Sequence, residues 1–205
     1  MIEWEVVQHA VAIAGRVTDA RSGAAIGGAV VTISAGPAAF TRWLALQTLQ
    51  HGARWASMVE RPDQTRTAAD GHFHFLDLPD GPYTLVAELP GTGSRYDTVE
   101  AQAAVARDDQ GNVRMAAADL ALPPTAIEGQ VTEQGTGLPV PMAEVRVKGS
   151  GERTFSDGQG RYVLAGLEAG TRTAVVSARG YQPASRMVAL NQPGVVLILN
   201  VALAK

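Results

Sequence analysis

Along much of this chain the apolar positions recur at every second residue. Ile13, Gly15 and Val17 alternate with Ala14, Arg16 and Thr18, and Ala29, Val31 and Ile33 alternate again. Phe73 and Phe75 fall on one side of their stretch, with His72 and His74 on the other. A period of two is the mark of a strand with one buried face. Residues 83–87, 98–105 and 113–122 read the same way, and 195–204 reads as a buried terminal strand. Turn signals separate these runs. Residues 20–28 are rich in Gly and Ser, Leu78-Pro79-Asp80-Gly81 combines a preset φ with a residue that accepts positive φ, and residues 108–112 form a polar hairpin sequence. Short, regularly spaced strands divided by turns predict an all-β sandwich.

One segment breaks the period. Over residues 40–63, FTRWLALQTLQHGARWASMVERPD, the helical repeat gathers Phe40, Trp43, Leu44, Gln47, His51, Trp55 and Met58 on one broad face. Leu46 and Leu49 fall outside it. Pro37 sits where a helix starts, Gly52 is placed to kink it, and Pro62 to stop it.

The chain also repeats itself. IAGRVTDARSGAAIGGAVVTI, from Ile13, aligns without a gap on IEGQVTEQGTGLPVPMAEVRV, from Ile127, an offset of 114. DGHFHFLDLPDG, from Asp70, aligns on QGRYVLAGLEAG, from Gln159, an offset of 89. The first copy therefore carries about 25 additional residues between its two blocks, and the helical segment lies within that excess. A helix absent from the second copy is an addition to the unit and not a requirement of it. Leu122-Pro123-Pro124-Thr125 divides the copies, since neither proline can donate to a ladder. The expected domains are 1–123, with the helical insertion at about 37–62, and 124–205.

These blocks resemble the carboxypeptidase regulatory-like domain, a transthyretin-like, Ig-like β-sandwich of about seven strands. The first copy supplies Gly15, Val17, Asp19, Ile26, Gly28, Ala29 and Val31, then Thr67, Gly71, Phe73, Phe75, Leu78, Pro79, Gly81 and Tyr83. The second supplies Gly129, Val131, Pro139, Val140, Ala143 and Val145, then Gly160, Tyr162, Leu164, Leu167, Gly170 and the pair Gly180-Tyr181. It departs at Glu133, Met142, Glu168 and Arg172, where the pattern has Asp, Gly, Pro and Tyr. The resemblance spans most of the chain outside 37–66 and implies two tandem sandwiches, the first with a helical insertion. The insertion and its context further resemble a bacterial, often cyanobacterial, subset of the family encoded beside phage-tail-like contractile injection systems.

Composition narrows the function classes. Apolar residues at 46% are ample for a core, and a net charge of -3 gives no electrostatic reason to expect nucleic acid. The absence of cysteine removes disulfides, thiolate metal sites and a cysteine nucleophile. No apolar run reaches the length of a spanning helix, and the acidic start MIEWEVVQ lacks the basic region of a signal peptide, so membrane insertion is not expected and a cytoplasmic location is. None of His9, His51, His72 and His74 is followed by the glutamate of a zinc peptidase motif, and the terminal residues lack the Tyr-Arg-Gly-Ser tail of the transthyretin-like hydrolases. His72 and His74 share a strand face but have no identifiable third ligand, and Asp108, Asp109 and Asn112 miss the spacing of a calcium loop. Ser34, Ser57 and Ser156 have no evident His and acid partners. No catalytic residue, metal or cofactor is expected.

The expected function is a non-catalytic structural or adaptor protein that contacts another protein, or itself, through the insertion. The resemblance to the bacterial subset implies an accessory component of a contractile injection particle. Phe40, Trp43, Leu46, Leu49 and Trp55 are the candidate partner-binding residues, because aromatic anchors carry most interface energy. The competing reading has the helix packed only on its own sandwich. The alternative function is a carbohydrate- or surface-binding module using exposed aromatics such as Trp43 or Tyr181.

Overall fold

In the computed structural model, residues 9–58 and 61–205 are described. The chain divides into two compact units, Met1–Pro90 with Thr98–Leu122, and Gly91–Asp97 with Pro123–Lys205. Strands dominate both, as the alternation requires, and the tandem β-sandwich expectation holds.

The first unit is built from β1 (Val11–Asp19), β2 (Val30–Ala35), β3 (Gln64–Arg66), β4 (His72–Leu76), β5 (Gly81–Glu88), β6 (Val99–Arg107), β7 (Val113–Arg114), β8 (Ala116–Ala117) and β9 (Leu120–Leu122). One sheet runs β4-β1-β8, with β9 continuing on β1, and the other runs β3-β2-β5-β6-β7. Their inner faces meet through Ile13, Val17, Val31, Phe73, Phe75, Tyr83 and Leu85, all buried. His72 and His74 are exposed, so the phase read from the sequence is the observed one. The Asp108 hairpin joins β6 to β7, with Asp108 Oδ1 accepting the N–H groups of Gln110 (2.9 Å) and Asn112 (2.8 Å).

The second unit repeats the plan with β10 (Ala126–Glu133), β11 (Glu144–Val147), β12 (Arg153–Phe155), β13 (Arg161–Ala165), β14 (Gly170–Ser177), β15 (Ala184–Leu190), β16 (Val196–Ile198) and β17 (Val201–Leu203). Its sheets are β13-β10-β16, with β17 also on β10, and β12-β11-β14-β15. The segment after Leu122 that reads as a linker is buried within this unit at Pro124 and Thr125. Thr125 Oγ1 donates to Ser94 O at 2.7 Å and accepts from Gly194 N at 2.8 Å.

Two expected strands are broken, and the break between β8 and β9 and that between β16 and β17 share one reason. Residues 113–122 split into β7, β8 and β9, and 195–204 into β16 and β17. At these two breaks the backbone presses onto the neighbouring strand where only glycine fits. A Cβ on Gly15 would lie 2.0 Å from Ala118 O, and one on Gly129 would lie 2.1 Å from Leu199 O. A side chain then fills the missing ladder position: Asp119 Oδ1 accepts Arg16 N–H, and Asn200 Oδ1 accepts Gln130 N–H, both at 2.9 Å. The terminal run is consequently not buried throughout, and Ile198 is 70% exposed.

The departures from the family pattern are absorbed locally. Tyr83 donates its hydroxyl to Pro79 O at 2.8 Å, and at the equivalent corner Arg172 Nε donates to Glu168 O at 3.1 Å. Met142 stands where the first copy has Gly28, and it adopts the same left-handed conformation, φ 57° against 79°.

Candidate functional site

The insertion connects β2 to β3 in the first unit. It consists of α1 (Ala38–His51) and a 3-10 turn over Gly52–Ser57. Pro37, φ -57°, precedes the first turn, and Gly52, φ 55°, ends the helix where the kink is expected. No side chain caps the N-terminus and no acidic residue lies in the first turn. A 14-residue helix without these aids owes its stability to packing.

Two aromatic side chains supply that packing. Phe40 is 2% exposed and meets the Tyr83 ring edge-on, centroids 5.6 Å apart at 73°. Such a pair adds about 1 kcal/mol to the area it buries. Trp55 is buried beside His51, with ring centroids at 6.0 Å, and the Arg61 guanidinium lies 4.9 Å from its ring centroid. Arg61 in turn forks onto the buried Asp63 carboxylate at 2.9 and 2.5 Å, and this pairing raises the Arg61 pKa. Asp63 O accepts Ile33 N–H at 2.8 Å, so the end of the insertion is tied to β2.

The five candidate residues therefore separate into two groups. Phe40 and Trp55 are corrected from partner anchors to anchors of the fold, since side chains largely enclosed by their own domain offer little area to another molecule. Trp43, Leu46 and Leu49 are exposed, the two leucines by 64% and 79%. Successive steps of three residues place them along one ridge. Leu44, Gln47, His51 and Met58 are half-buried, in line with the predicted inward face.

Beside Trp43 the insertion leaves an apolar cleft of about 440 Å³, lined by Phe40, Pro62, Leu76, Leu78 and Pro79 with Asp77 at its edge. Sequence reasoning missed Leu76 and Pro62 as parts of this surface. A signal existed for Leu76, an apolar residue in the outward phase of β4, where His72 and His74 also lie. The Asp77 carboxylate accepts Ala10 N–H at 2.8 Å and contacts His9; these interactions, the backbone one first, hold it below the usual carboxylate range.

The remaining chemical candidates are engaged structurally. Ser156 Oγ donates to Val140 O at 2.7 Å and accepts Ala143 N–H at 2.8 Å, the brace that Thr67 makes between Ile26 and Ala29. Ser34 and Ser57 donate to the carbonyls of Thr84 and Arg54. Tyr181 donates to Glu133 Oε2 at 3.0 Å, and Lys205 Nζ lies 5.9 Å from its ring centroid. Among the described residues no three His, Cys, Asp or Glu side chains come together as a metal site.

The fold and this insertion define a tandem β-sandwich protein with a helical elaboration on its first unit. The model of the carboxypeptidase regulatory-like domain matches residues 12–116 and 126–204, and the chain belongs to that family. No curated protein matches the sequence. Among solved structures, the chain is similar to the shaft pilin SpaA from Lactobacillus rhamnosus GG, at 12% identity over 96% of this chain and 97% of that one, TM-score 0.42. It is also similar to the TIE protein of Bacillus anthracis, at 16% identity over 96% of this chain, TM-score 0.40, where it spans 34% of the length of that chain. A third is the minor pilin GBS52 of Streptococcus agalactiae, at 13% identity over 94% of this chain and 95% of that one, TM-score 0.33.

Proposed function

We propose that this protein is a non-catalytic structural or adaptor module whose partner, another protein, seats on the outer ridge of α1. One observation carries the reading: Leu46 and Leu49 stand exposed beside Trp43 on an insertion already anchored by Phe40 and Trp55. A helix that served only to cover its own sandwich would present polar side chains at those positions. An accessory place in a phage-tail-like contractile particle is the most specific form of the proposal, and it rests on the resemblance of the insertion.

The test compares wild type with a Trp43→Ala, Leu46→Ala, Leu49→Ala variant in the native cell. The expected result is stoichiometric recovery of the wild-type protein with a defined assembly, loss of that association in the variant, and unchanged thermal unfolding of the purified protein. Equal recovery of both forms would overturn the ridge as the interface. Contractile particles purified without this protein would overturn the specific form.

A further inference from the structure

A second surface on the same unit adjoins the cleft beside Trp43. Among the described residues β4 and β3 each end their sheet, β4 pairing only with β1 and β3 only with β2. Between these two edges runs a groove of about 660 Å³, lined by Thr65 and Arg66 on one side and His74 and Leu76 on the other, with Arg61 and Pro62 at one end. The hydrogen-bond phase of each ladder shows which backbone groups face it. Val17 N–H donates to Gly71 O, so the closely bonded pairs of β1 and β4 include Gly15 with Phe73 and Ile13 with Phe75, and the N–H and C=O of His74 point outward. Ile33 N–H donates to Asp63 O, and by the same alternation the N–H and C=O of Arg66 point outward.

Charge identifies the occupant. Arg61 is matched by Asp63, and Asp77 by His9, while Arg66 and His74 pair with no carboxylate among the described residues. The groove shares Pro62, Leu76 and Asp77 with the apolar cleft beside Trp43, so a basic edge continues into an apolar pocket. We infer that this groove takes an extended acidic peptide segment of another chain, which adds as a strand along β4. Its carboxylates at alternate positions meet Arg66 and His74, and an apolar side chain at one end enters the cleft. The second unit provides an internal contrast. The repeat places Phe155 and Val163 at the positions of Arg66 and His74, and both are exposed. Its edges carry Arg153 and Arg161 two residues earlier on the same faces, Arg153 within reach of Glu144, so the two units differ in where their basic residues stand along the edge.

The experiment uses the full chain and a fluorescein-labelled peptide of alternating Glu and Val ending in Trp, read by fluorescence anisotropy. The expected result is saturable, salt-sensitive binding, weakened about tenfold or more by Arg66→Glu. His74→Pro removes the outward donor and leaves the ladder to β1 intact, because proline is tolerated on a free edge; it should weaken binding comparably. An N-methylated peptide, blocked along one edge, leaves the protein untouched and should fail to bind even if either variant misfolds. Binding that persists with the N-methylated peptide, or that is equal for a Lys-for-Glu peptide, overturns the proposal. So does unchanged binding by Arg66→Glu, and so does a dimer of this chain that His74→Pro abolishes while the peptide shows no affinity.

Discussion

The aromatic residues of the insertion show how little a residue's type says about its role. Phe40, Trp43 and Trp55 belong to the same predicted stripe, yet two are enclosed and one opens onto a cleft. Phe40→Ala should cost the first unit about 3–5 kcal/mol, measured by denaturant unfolding, because the truncation leaves a cavity against Tyr83. Leu49→Ala, at a position 79% exposed, should change stability by less than about 0.5 kcal/mol. Met142 offers the opposite case. Its left-handed backbone is costly for a side chain with a Cβ, so Met142→Gly should raise the stability of the second unit by roughly 0.5–1 kcal/mol in the same assay. Burial pushes the Tyr83 phenol up to about 12, aided by Asp80, and burial pushes Tyr162 up to about 12. An unfolded chain releases these protons near pH 10, so their contribution is complete below pH 10. Stability should then fall as pH rises from 10 towards 12, followed by absorbance of the tyrosinates alongside thermal unfolding.

At the scale of elements, the strands were legible and their interruptions were not. Alternation exposes the inward phase of β1, β4 and β5, since each has one dry face. The breaks between β8 and β9 and between β16 and β17 depend on a carbonyl approaching a glycine far away in the chain, and no local pattern carries that. The existence of α1 and its inward stripe were readable from spacing, as was its end at Gly52. The cleft beside it was not, because Pro62, Leu76 and Pro79 come from three separate segments. Replacing residues 36–63 with the short connection found between β11 and β12, Lys148 to Glu152, tests whether the insertion is an addition. The variant should keep its far-ultraviolet β signature and lose several kcal/mol of first-unit stability, since the contacts of Phe40 and Trp55 go with the helix.

At the scale of the whole molecule, the two units do not follow the order of the chain. Gly91–Asp97 lies between β5 and β6 in sequence and belongs to the second unit. Arg95 holds it there, with Nη1 donating to Glu152 Oε1 at 2.6 Å and to Gly166 O at 2.7 Å. Arg95→Ala should therefore destabilise the second unit by about 1–3 kcal/mol, visible as a lowered transition in calorimetry. A domain boundary read from prolines misses such an exchange, because the carboxylate and the carbonyl that capture the loop lie more than fifty residues away.

Periodicity, turn residues and the internal repeat determined by themselves that this protein is all-β, that it contains two copies of one unit, and that the first copy bears a helix. Each of these is a local regularity, set by which side chains must leave water along a few consecutive residues. Only the tertiary structure decided that Phe40 and Trp55 face inward while Leu46 and Leu49 do not, and that β3 and β4 leave a groove between their edges lined by Arg66 and His74. Those outcomes depend on which distant segments share a surface, and burial is a property of that shared surface and not of any one stretch of chain.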